Sequence, residues 1–203
     1  MARVAFGLKA HSGWAALVAL GETPRAGSLE VVERRRLELV AAEDRAWAMQ
    51  PYHAAEGLEP ADAEDVVGRA IASAHAHAEL SLAAALAARR ASGDEVVGCG
   101  VLLGAGMPAW SVAETLAVHM RMHKAEGELF RDALVKAAQR LALGVMGIRD
   151  KELEARADKV LRLPPEERRA RLADAGRRAG PPWARDQKDA ALAAWIALRG
   201  PAR

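Results

Sequence analysis

Between Val118 and Arg131 the chain reads VHMRMHKAEGELFR, its densest run of side chains able to do chemistry. On a continuous helix His119 and His123 stand four residues apart and Glu126 three further on. Two imidazoles and a carboxylate then share one face. Such ligands suit Zn²⁺ or Mn²⁺ better than Mg²⁺ alone. The spacing is not that of an HExxH metalloprotease, because Met120 stands where the glutamate would be. Histidine pairs at this spacing are also ordinary on solvated helices, and spacing alone favours that plainer reading. It predicts no stoichiometric metal and a change below about 1 kcal/mol in His123→Ala. Gly127 costs the run about 1 kcal/mol of helix propensity relative to alanine, which predicts a break or a close approach at that point.

Asp186 and Asp189 are three residues apart at the start of an alanine-rich helical stretch. Their carboxylates can share a face and hold a metal, or serve only as first-turn acids favoured by the helix dipole. Lys9, His11 and Ser12 cluster at a turn, where they could receive a phosphate or form a solvated hairpin tip; the latter is the simpler reading. His75 and His77, two apart, face different directions on a helix and cannot chelate together. The arginines of 168–178 are preceded by interleaved acids, as on a solvated helical pair. There is no GxxxxGK[ST] loop, no GxGxxG after a strand, no GxSxG elbow and no CxxC pair. This argues against P-loop NTPases, dinucleotide enzymes, α/β-hydrolases and zinc ribbons.

The elements that must position these residues follow from periodicity and punctuation. Arg3–Lys9 alternates and Gly13–Leu20 is almost wholly apolar, so two strands form a hairpin about 10–13. Pro24–Gly27 makes the next turn and Ser28–Val40 a third strand. Pro60–Arg90 reads as a long helix ended by Ser92-Gly93. Glu95–Leu103 reads as a buried strand whose glycines admit a close neighbour. Ser111-Val112-Ala113-Glu114 is a capping box opening a helical region to about Leu143. A short strand follows at Val145–Ile148. Residues 149–180 form two short helices joined at Pro164-Pro165, and Asp186–Leu198 is the last helix.

The chain has 203 residues, 51% hydrophobic and 28% charged, which fits one globular domain over 1–203 with a helical insert at 149–180. A net charge of +2 excludes binding nucleic acid through an overall basic coat. The lone cysteine, Cys99, excludes a disulfide framework and reads as a small core residue. No apolar run reaches the ~20 residues a membrane span needs. No secretory h-region follows Met1, so the expected location is cytoplasmic.

Three strands followed by alternating helices and strands make a mixed α/β sheet. The order resembles the ribonuclease H-like fold, which includes the Holliday-junction resolvases of the RuvC type. Residues 7–15, GLKAHSGWA, resemble the first hairpin of those resolvases, and residues 186–193, DQKDAALA, resemble their last helix. The resemblance implies a five-stranded mixed sheet with a helical insert before the last helix. It also implies Mg²⁺ or Mn²⁺ held between carboxylates, a DNA or RNA partner and a homodimer. The family places one acid on the first strand, one after the fourth strand or on the helix after the third, and one or two on the last helix. Here Lys9 stands at the first-strand position and Gly104–Met107 contains no acid. Asp186 and Asp189 are the expected metal ligands, with Glu126 or Glu128 replacing a missing acid and Lys9 and His11 contacting substrate. Two functions remain open. One is a divalent-metal-dependent nuclease with a rearranged site. The other is a non-catalytic binding or assembly module that kept the fold and lost the metals.

Overall fold

The computed structural model describes residues 2–23 and 28–200; the turn expected at Pro24–Gly27 lies outside them. The hairpin forms from β1 (Arg3–His11) and β2 (Trp14–Glu22), and β3 (Leu29–Glu38) follows. Two short helices come next, α1 (Arg45–Ala48) and α2 (Pro51–Ala54). The long α3 (Pro60–Ala91) leads to β4 (Glu95–Leu103). After α4 (Val112–Leu116) and α5 (His119–Arg140) comes β5 (Val145–Arg149). A 3-10 turn at Asp150–Glu152 opens the insert, which contains α6 (Leu153–Leu161) and α7 (Pro165–Ala179); α8 (Arg185–Arg199) follows it. The sheet order is β3-β2-β1-β4-β5, antiparallel through β3, β2 and β1 and parallel from β1 through β4 to β5.

The sheet is covered on both faces, which accounts for the unbroken apolar character of β2. On one face Phe6, Leu8, Leu17 and Val101 pack against α3 and α5 through Leu82, Phe130 and Leu134. On the other, Val18, Leu20 and Leu102 meet α8 and the insert through Trp195, Ile196 and Leu172. The insert is held together by Arg168, which is 2% exposed. Its guanidinium donates to Glu154 at 2.8 Å, to Asp158 at 2.5 Å and to the Leu163 carbonyl at 2.7 Å. One of the arginines read as solvated is therefore the pin joining α6 to α7.

Two glycines set how close α8 comes. A Cβ on Gly7 would stand 1.7 Å from the Ala190 carbonyl oxygen, and one on Gly100 would stand 2.4 Å from that of Ala193. The helix backbone therefore lies directly on β1 and β4, where any side chain would hold it off. This carries the first turn of α8 to the carboxyl end of β1.

The helical region opened at Ser111 breaks at Ala117–Val118, not at Gly127. The capping box is present, with Ser111 Oγ accepting from Glu114 N at 3.1 Å and Glu114 accepting from Ser111 N at 2.8 Å. Val118 takes an extended backbone (φ −140°, ψ 111°), which ends α4 and starts α5 anew. Gly127 stays inside α5, and a Cβ there would stand 3.1 Å from Arg131 Nη1. That neighbour is the movable tip of a side chain, so no close backbone approach demands the glycine, and no break occurs there.

Candidate functional site

The carboxyl ends of the parallel strands β1, β4 and β5 share one edge of the sheet, the usual place for a site in sheets of this kind. Lys9 and His11 are at that end of β1. They project to the face covered by α8, because Leu8 and Ala10, which alternate with them along the strand, project to the opposite core. α8 brings Asp186 and Asp189 onto them from above.

Lys9 Nζ lies 2.6 Å from Asp189 Oδ2 and 3.2 Å from Asp186 Oδ1. The Lys9 side chain is 15% exposed and the two carboxylates just over a quarter. Burial pulls the Lys9 pKa down, but hydrogen bonds to Asp189 and Asp186 and their negative charges outweigh it. The ammonium is held above its ordinary value of 10.5. Arg185 Nε adds a second cation 3.6 Å from Asp189. His11 Nε2 stands 3.1 Å from Asp186 Oδ2 without the alignment of a hydrogen bond. Two carboxylates are thus matched by two cations.

The fit to the metals of the family follows from this geometry. A lysine ammonium has three donors and no lone pair, and it occupies the space between the acids. A dication brought there would meet a like charge and only two carboxylates, both already paired. The residues present do not fit a two-metal centre. They do not fit a free phosphate-binding lysine either, because Lys9 is spent on its own acids.

The two glutamates expected to replace a missing acid separate in the structure. They are two residues apart on α5 and so point in different directions. Glu128 reaches the end of β4: its Oε1 accepts from Gly106 N at 3.3 Å and lies 3.7 Å from Arg131 Nη1. It lies at the site's end of the sheet, tied to the loop after β4 and to Arg131 of its own helix. Glu126 goes elsewhere. It is 2% exposed and accepts from His53 N at 3.2 Å and from His53 Nδ1 at 2.8 Å. Because α5 covers the sheet face opposite α8, Glu126 does not join Asp186 and Asp189.

Beside the ion-paired cluster the surface is basic and aromatic. The His11 ring stacks on Trp14 with centroids 4.3 Å apart and planes within 11°. The Arg36 guanidinium lies over Trp14 at 4.0 Å from its centroid. Trp14 and Arg36 are diagonal neighbours across β2 and β3, since Ala16 pairs with Arg36 and Trp14 with Glu38. Pro182 and Gln187 complete a shallow cleft here. Arg36 is exposed at it. Sequence reading missed this stack; its one signal is the alternation of β3, which puts Arg34 and Arg36 on the same face. Arg34 is not available there, as it donates to the Ala179 carbonyl at 2.9 Å and the Gly180 carbonyl at 2.8 Å.

His75 bonds Asp132 at 3.1 Å and His77 its own helix carbonyl at Ser73, so the two serve separate contacts. Cys99 is fully buried, and burial pushes its thiol up to about 12, as for a core residue. Among the described residues no helix is long and apolar enough to cross a membrane.

No protein-family model matches the sequence, and no curated protein matches it. Solved structures do match. A Thermus thermophilus RuvC in complex with a Holliday-junction substrate superposes with a TM-score of 0.50 at 14% identity, covering 96% of this chain and 91% of that one. A second Thermus thermophilus RuvC structure, also at 14% identity, gives 0.46 over 96% and 92%. The overall fold, a mixed five-stranded sheet with helices, agrees with the first of these over almost its full length. In fold the chain is ribonuclease H-like and resembles the Holliday-junction resolvases of the RuvC type.

Proposed function

We propose that this chain is a non-catalytic nucleic-acid-binding module that has kept a resolvase-like fold and replaced its metals with a lysine. The observation that carries the reading is the placement of Lys9 Nζ at 2.6 and 3.2 Å from the two last-helix acids. An ammonium there supplies the positive charge that keeps two neighbouring carboxylates together, but it cannot bind and activate water as a metal does, and it is already turned to the two acids. The nucleic-acid partner is supported by the fold shared with a RuvC solved on a junction substrate. The surface next to the cluster supports it too: Trp14, with His11 and Arg36 stacked on its ring, holds an exposed guanidinium beside the cleft, charge supplied without a net basic coat.

The test is a panel of four-way junction, single-stranded DNA and RNA–DNA hybrid, assayed for binding and for cleavage with Mg²⁺ and Mn²⁺. Salt-sensitive binding without cleavage is expected, weakened about tenfold by Trp14→Ala. Metal-dependent cleavage that disappears in Asp189→Asn would overturn the reading in favour of a rearranged nuclease. Failure to bind any of the panel would leave neither nucleic-acid reading standing.

A further inference from the structure

Across the sheet from the lysine-filled cluster, three imidazoles converge. His119 and His123 come from the first two turns of α5, and His53 from α2. One ring nitrogen of each lies within 4.8 Å of those of the other two. The Nε2 atoms of His119 and His123 are 3.0 Å apart, and the His53 ring centroid lies 5.1 and 4.7 Å from theirs. Nitrogens bound to one tetrahedral Zn²⁺ at their usual bond length are about 3.3 Å apart, so small side-chain rotations suffice to close the set on an ion.

The second observation is Glu126. Its carboxylate is buried, and both oxygens lie within 3.0 Å of His53 Nδ1. A carboxylate accepting from Nδ1 fixes the tautomer, leaves the Nε2 lone pair for a metal and raises that nitrogen's basicity, the arrangement that commonly backs zinc-bound histidines. It also places an anion behind the three neutral ligands to offset the charge of a dication. Spacing along α5 suggests His119, His123 and Glu126 as a ligand set. The fold instead puts His53 in the ligand position and Glu126 behind it.

We infer that His53, His119 and His123 form a binding site for a divalent transition metal of the zinc class, oriented by Glu126 and open to solvent at its fourth position. Three imidazoles select such an ion over Mg²⁺, which takes oxygen ligands. His119 and His123 are exposed, so an ion can enter without rearrangement of the core.

The test is calorimetric titration of the metal-stripped, full-length protein with Zn²⁺ and, separately, Mg²⁺. One Zn²⁺ per chain is expected, with no response to Mg²⁺. His119→Ala and His123→Ala, both surface substitutions, should each abolish the binding, and His75→Ala should leave it unchanged. Glu126→Gln, which keeps the shape and removes the charge, should weaken it about 10- to 100-fold. Absence of stoichiometric Zn²⁺ binding, or binding that survives His123→Ala, would overturn the inference.

Discussion

The ammonium of Lys9 on the first strand lies 2.6 Å from the carboxylate of Asp189 on the last helix, across 180 residues of sequence. The same ammonium reaches Asp186 at 3.2 Å. The pair of acids that suggests a metal centre is in place, and a side chain of this protein already neutralises it. The chemistry of the site is that of an ion-paired clasp between strand and helix.

Removing the cation should expose that dependence. Lys9→Met leaves two part-buried carboxylates facing each other and should destabilise the fold by about 1–3 kcal/mol at neutral pH. Urea denaturation of the two proteins measures the difference. Lys9→Asp supplies a third carboxylate. In that variant Mg²⁺, which the histidine cluster does not take, should raise the melting temperature, while the unaltered protein should show no such gain; equal responses would refute the clasp.

The clasp has a pH signature. The folded-state pKa of Lys9 is raised above 10.5, so the protonated lysine favours the folded state. Its contribution is fully present below the unfolded value and is lost as pH rises through the folded one. The stability gap between the unaltered protein and Lys9→Met should therefore stay constant from neutral pH to about 10 and close above that. A gap that widens in alkali would show that the sign is wrong.

Gly7→Ala should be among the most damaging single substitutions. Its Cβ would stand 1.7 Å from a backbone oxygen of α8, which no rotamer change relieves. The helix must lift from the sheet, at a cost of about 3 kcal/mol or more. Thermal melting measures the cost. A near-neutral result would mean that α8 is not seated on β1 as described.

Arg168→Ala should loosen the insert selectively. It removes a buried guanidinium that satisfies the Leu163 carbonyl and pairs with Glu154 and Asp158. Because those two acids are more than half exposed, they can rehydrate, and the expected loss is about 2 kcal/mol rather than that of a fully buried ion pair. Amide exchange should accelerate in α6 and α7 and stay unchanged in β1 and β4.

The sequence by itself determines the order of the strands and the longer helices, though not the short α1 and α2, because each is written locally: the alternation in β1, the apolar run in β2, the capping box at Ser111 and the proline pair at the start of α7. It also shows that Lys9 stands where a carboxylate is expected and that Asp186 and Asp189 open the last helix. Only the tertiary structure decides what these residues do together. Helical periodicity puts Glu126 beside His119 and His123, but it cannot say that a four-residue helix 73 positions upstream delivers His53 to the same spot. Nor can it say that Lys9 turns inward to Asp189, since that depends on Gly7 and Gly100 letting α8 settle onto the sheet. Side-chain direction within one element follows from the local repeat of the backbone. A site assembled from several elements follows from packing, and its distances are set by residues far from it in the chain.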